Sequence, residues 1–195
     1  MGEFDRDIRL LERRIQRHEN MDQLTIFYGS STIRLWSSMR QDLTPLNVLN
    51  LGFGGSHFDA CIEYFDRVFH SLTPEQIVLY GGDNDLSLGY NATEIADRFE
   101  HLCTLIRSKY PGIPIYGITI KPSPHREDKL QIIKEANIYM KHFLKHLGDA
   151  FQIDTFEALL GQDDRPQPHL YLKDGLHLNK KGYEVWAAAV QKLLI

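Results

Sequence analysis

Leu24-Thr25-Ile26-Phe27-Tyr28-Gly29-Ser30-Ser31 runs from an unbroken β-rich segment straight into a glycine/polar turn. Near-continuous apolar character over residues 24–28 is what a strand covered on both faces shows. The same join occurs twice more. Residues 48–51 lead into Gly52-Phe53-Gly54-Gly55, and residues 77–80 into Gly81-Gly82-Asp83-Asn84-Asp85. Residues 115–120 and 151–153 read as a fourth and a fifth, weaker strand. Between the strands lie helical patterns over residues 5–19, 58–69, 92–109, 128–147 and 180–194; in the first, Ile8, Leu11 and Ile15 recur at helical spacing. Strand–helix alternation predicts an α/β fold. The expectation is one domain over residues 1–195, a three-layer α/β/α sandwich around a central parallel five-stranded sheet, flavodoxin-like in architecture. Residues 1–20 form an N-terminal helix packed on it. Residues 161–168, with Pro166 and Pro168, read as a connection.

The 195 residues suit one such domain. Hydrophobic residues make up 43% and charged residues 25%, ordinary for a globular protein. The formal net charge of -4 and the lack of a basic cluster along the chain argue against nucleic-acid binding. Cys61 and Cys103, the only cysteines, sit among apolar residues and read as buried thiols. No CxxC or Cys/His spacing suggests a metal. The charged N-terminus does not resemble a signal peptide, and no apolar run is long enough for a membrane span. A cytoplasmic location is therefore expected.

In open sheets of this kind ligands bind beyond the carboxyl ends of the strands. All three glycine/polar loops follow a strand, so they share one edge of the sheet. Ser31 at a strand-to-helix turn can present a hydroxyl and its own N–H to one substrate, although a serine there also serves as a helix cap. A serine hydroxyl needs a base to become a nucleophile. Asp174-Gly175-Leu176-His177 supplies one: His177 can take the proton, and Asp174, three residues earlier, can hold its Nδ1–H. The competing reading makes Asp174-Gly175 a turn and Asn179 the cap of the last helix; the turn and the catalytic role are compatible. The Gly52–Gly55 loop offers exposed N–H groups, and Asn84 can donate its amide to an oxyanion. The consecutive Asp83, Asn84 and Asp85 also read as a turn, and they lack EF-hand spacing. GxGxxG, P-loop and GxSxG patterns are absent.

With all four blocks in order, the chain resembles an SGNH hydrolase of the GDSL esterase/lipase superfamily, and its Gly-Phe-Gly-Gly and Gly-Asp-Asn-Asp stretches are similar to the platelet-activating-factor acetylhydrolase-like branch. The resemblance runs from about residue 24 to the final helix. It implies Ser31 as nucleophile, with His177 and Asp174 completing a triad. Ser31 N–H, Gly55 N–H and the Asn84 amide would form the oxyanion hole, with Gly54 as the alternative to Gly55. The family usually carries Asp where Ser30 stands, which also leaves Ser30 as a second candidate nucleophile. The implied function is hydrolysis of a small acyl ester, acetyl being the favoured acyl group, without metal or organic cofactor. The implied partner is a small-molecule ester, with no nucleic acid and no membrane; self-association into a homo-oligomer stays open. The rival is a non-catalytic carbohydrate or small-ligand binding domain on a degenerate hydrolase scaffold, motivated by Ser30. A flavin or nucleotide binder suits the sheet but not the motifs.

Phe53, His57 and Tyr90 are candidates to line a substrate pocket, with core packing or a surface helix start as the competing readings. Arg34 reads as an exposed helix charge, with an anion contact as its other reading. Tyr183 and Trp186 read as packing against the sheet.

Overall fold

Five strands form one parallel sheet in a computed structural model that describes residues 2–18 and 20–195. They are β1 (Leu24–Gly29), β2 (Asn47–Gly52), β3 (Pro74–Tyr80), β4 (Ile115–Ile118) and β5 (Ala150–Ile153). Their spatial order is β2-β1-β3-β4-β5, and every pairing is parallel. The order reverses between β1 and β3. Loops leaving neighbouring strands at such a point diverge to opposite faces and open a crevice.

The strands are apolar throughout because both faces are covered. On one face Ile26, Tyr28, Ile77 and Leu79 pack under α4 (Phe58–Val68), α6 (Ala92–Lys109) and α7 (Leu130–Leu147). On the other, Phe27, Val78 and Tyr80 meet Trp36, Tyr183 and Trp186, the last two from α8 (Lys180–Leu194). The result is the expected single-domain sandwich. The N-terminal helix α1 (Asp5–Gln16) buries Ile8, Leu11 and Ile15. Arg67 of α4 ties to it through Asp5 at 2.8 Å and Glu12 at 2.6 Å. The helix ends at Gln16 with Arg17 as its C-cap, short of the expected end at Glu19, which itself lies outside the described residues.

Three differences from the sequence reading have local causes. Strand β4 stops at Ile118 rather than Ile120. The Asn137 side chain of α7 captures the Ile120 backbone, accepting its N–H at 2.7 Å and donating to its carbonyl at 3.0 Å. Helix α7 starts at Leu130 because Pro124–Lys129 winds as a 3-10 turn. Three short helices, α2 (Ser31–Arg34), α3 (Met39–Asp42) and α5 (Asp83–Ser87), occupy segments too short for a helical period to register.

Candidate active site

At the end of β1 the chain passes close to β3. Gly29 has φ +142, and a Cβ there would lie 1.8 Å from the Tyr80 carbonyl oxygen. Only glycine fits such an approach. Ser30 then donates its N–H to that carbonyl at 3.0 Å and turns its side chain inward, leaving 1% of the residue exposed. Ser31 opens α2 with its hydroxyl outward, 3.0 Å from His177 Nε2. Of the two adjacent hydroxyls, the one that meets His177 is that of Ser31.

His177 arrives from the other end of the chain, on the loop before α8. Its Nδ1 lies 2.7 Å from Asp174 Oδ2. With the carboxylate taking the Nδ1–H, Nε2 is left to accept from Ser31. The other Asp174 oxygen accepts the N–H groups of Leu176 at 2.9 Å and His177 at 3.0 Å. One side chain therefore closes the turn and orients the imidazole. Asn179 caps α8, its oxygen accepting from Lys181 and Gly182. Partial burial raises the Asp174 pKa, but the His177 ring and the two backbone donors outweigh it and hold the carboxyl at about 2.

This shift fixes an acid-stability test. A folded pKa below the ordinary 3.8 means that Asp174 contributes stability above that value and loses it as pH falls toward about 2. The stability gap between wild type and Asp174→Asn should narrow as pH falls from 3.8 toward 2. The side chain is 48% exposed, so the gap will be small. Urea unfolding across that range checks it; a gap that widens on acidification would contradict the assignment.

Gly55 sits at φ +74 at the exposed tip of the second loop. A Cβ there would meet only Phe4 at 3.7 Å, so the constraint on this position is backbone conformation rather than space. Asn84, in the first turn of α5, donates one amide hydrogen to the Ser56 carbonyl at 2.8 Å. That bond ties the third loop to the second and fixes the direction of the other amide hydrogen. The carboxylates on either side of Asn84 both point inward. Asp83 accepts from the Tyr80 hydroxyl and pairs with Lys121 at 2.5 Å, where the lysine side chain is 0% exposed. Asp85 accepts the Phe58 N–H at 3.1 Å, at the start of α4. Burial pushes its carboxyl pKa up, against the Phe58 N–H and the His57 ring. Lys121 went unread in the sequence. Its signal was a single lysine closing an otherwise apolar strand segment.

The pocket candidates fare differently. Phe53 is fully buried, 5.4 Å from the Phe4 ring and 6.0 Å from Tyr28, so it belongs to the core and leaves the pocket. His57 is half-buried and caps α4, its Nδ1 accepting from Ala60 at 3.3 Å. Tyr90 is half-buried under the Arg98 guanidinium, 3.7 Å from the ring centre. Both side chains have structural work that accounts for their placement. Among the described residues no group of three His, Cys, Asp or Glu side chains could hold a metal ion.

A known family model, GDSL-like lipase/acylhydrolase, matches residues 22–185 of the chain. The chain belongs to this family. No curated protein matches it. Solved structures share the fold of this GDSL-like chain at low identity. A Streptococcus pneumonia protein, described as a candidate platelet activating factor, superposes with TM-score 0.84 at 19% identity over 99% of this chain and 93% of its own. A GDSL-like lipase from Bacteroides thetaiotaomicron gives 0.75 at 19% identity, over 95% and 97%. A Clostridium thermocellum family 3 carbohydrate esterase gives 0.70 at 18%, over 87% and 93%. The GDSL-like chain departs from the usual Gly-Asp-Ser at Ser30, and the carboxylate missing there leaves a buried hydroxyl without a partner among the described residues. No described helix is long and apolar enough to cross a membrane.

Proposed function

We propose that this GDSL-family protein is a serine esterase that cleaves a small acyl ester, with acetyl as the acyl group. The observation that carries the reading is the continuous hydrogen-bonded chain from Ser31 Oγ through His177 to Asp174, at 3.0 and 2.7 Å. His177 Nε2 takes the Ser31 proton as Oγ attacks the ester carbonyl. The Ser31 N–H, the Gly55 N–H and the free Asn84 amide hydrogen receive the negative charge that develops on the carbonyl oxygen. His177 then gives its proton to the leaving alcohol. Water repeats the sequence on the acyl-serine, releasing the acid and restoring Ser31. Asp174 stays ionised and stabilises the imidazolium. Every step uses groups of the chain and water.

The partly exposed serine and histidine favour a small, accessible ester. The carbohydrate esterase among the fold neighbours makes acetylated sugars a sensible part of a substrate panel. Labelling with a fluorophosphonate, lost in Ser31→Ala, separates this reading from a non-catalytic binding domain; an unlabelled wild-type protein would favour the latter. Asn84→Ala should lower kcat by on the order of 10²–10³-fold. Its KM should change much less, because the amide acts on the transition-state oxygen. An unchanged kcat would remove Asn84 from the oxyanion hole.

A further inference from the structure

The fold gathers a set of arginines that the linear sequence keeps apart, in a cleft that starts at Arg34 beside this site and extends along β2 toward Asn47. Arg34 lies three residues after Ser31 on the one-turn helix α2, on the same side of it. Its guanidinium covers the second loop: a Cβ on Gly54 would lie 3.3 Å from Arg34 Nε. From Arg34 a cleft of about 470 Å³ runs along the junction of α1, α3 and β2, bordered by Arg14, His18 and Arg40. A second cleft of about 450 Å³ shares those three residues and adds Arg13 and Arg17. No carboxylate lines either one.

None of these five arginines makes an ion pair among the described residues. Arg14 Nη1 donates to the Asn50 carbonyl at 2.5 Å. Arg40 donates to His18 Nδ1 at 3.1 Å, and His18 Nε2 lies 3.3 Å from Asn47 Oδ1. The Asn50 carbonyl and the His18 ring thus hold Arg14 and Arg40 in place with no carboxylate to cancel their charge. The nearest acid of α3, Asp42, is occupied by the Trp36 indole at 2.7 Å and the Ser38 hydroxyl at 2.6 Å. Burial and then the positive charge of Arg34 both lower the Arg14 pKa, so the two guanidiniums feel each other. Like charges held together without counter-charge weaken a fold. In a chain of net charge -4 such a cluster has the chemistry that suits an anion.

We propose that the Arg14–Arg34–Arg40 cleft binds an anionic substituent, phosphoryl, sulfonate or carboxylate, of the ester whose acyl bond meets Ser31. The substrate part of this inference rests on the esterase reading; the anion site itself does not. Planar guanidiniums on two sides of a cleft suit the paired oxygens of such a group.

Two measurements test it on the whole protein. First, pyrophosphate binding to wild type and to Arg14→Gln/Arg40→Gln is measured by calorimetry. A Lys145→Gln/Lys192→Gln variant carries the same change in net charge elsewhere. We expect the arginine variant to bind at least about 10-fold more weakly, and the lysine variant to bind as wild type does. No binding by wild type, or equal weakening in both variants, overturns the anion site. Second, kcat/KM is compared for 4-acetoxybenzenesulfonate and its neutral sulfonamide counterpart, and for a hemisuccinate ester with the charge on the acyl side. We expect wild type to prefer at least one anionic ester, and that preference to fall about 10-fold in the arginine variant. A preference that is absent, or that persists in the variant, overturns the substrate part. If wild type hydrolyses none of the three, the esterase reading fails, and the calorimetry still decides the anion site.

Discussion

Ser31→Ala is expected to lower kcat for ester hydrolysis by at least about 10⁴-fold, the scale seen when a member of a serine triad is removed. The geometry makes the expectation specific. Ser31 Oγ is the hydroxyl that meets His177 Nε2, and the neighbouring Ser30 is buried with its side chain turned away. No second hydroxyl of that loop can take over. The exchange removes one atom from a half-buried residue that opens α2, so stability should change little. Circular dichroism and urea unfolding of the variant serve as the control. A folded Ser31→Ala protein with wild-type turnover would sink the esterase reading, and residual activity abolished by Ser30→Ala would move the nucleophile by one residue.

Lys121→Met carries the largest expected cost to stability, about 3–5 kcal/mol. The Lys121 side chain is fully buried and Asp83 is 5% exposed at its side chain. Removing the ammonium strands a carboxylate whose remaining partner is the Tyr80 hydroxyl, in a place where water cannot replace the loss. Against a typical domain stability of roughly 5–15 kcal/mol that is a large fraction. Lys121→Met/Asp83→Asn should recover part of it, because the amide carries no charge to strand. Because Asp83 precedes Asn84 on α5, the single variant should also lower kcat more than it raises KM. Urea unfolding of both variants is decisive: a loss below about 1 kcal/mol, or a double variant no better than the single, would mean the pair is not the anchor of this loop.

The strands and long helices were legible because a parallel sheet covered on both sides writes itself as apolar runs between helical periods. Ser31, Gly55 and Asn84 stood out because their loops follow a strand, and Asp174 and His177 because of their spacing just before the last helix. What was not legible depended on distance in space. Phe53 looked like a pocket residue from its place beside the glycines, but Phe4 of the N-terminal segment packs on it and takes it into the core. Asp83 and Asp85 read as parts of a turn, whereas each reaches into the protein for its own partner. Lys121 showed only as a lone lysine after an apolar run, and its partner, 38 residues away, could not be read from that. The arginine cleft was invisible for the same reason: α1 and α2–α3 contribute to it separately, and neither stretch is basic enough to stand out.

The Ser31–His177 contact spans 146 positions of the chain. On the proposed esterase reading, a growing polypeptide holds Ser31 long before it holds the His177 base. Nearly the whole domain would then have to be synthesised before any ester is cut. In a translation reaction, covalent labelling of Ser31 should appear only after the segment carrying His177 has emerged and docked.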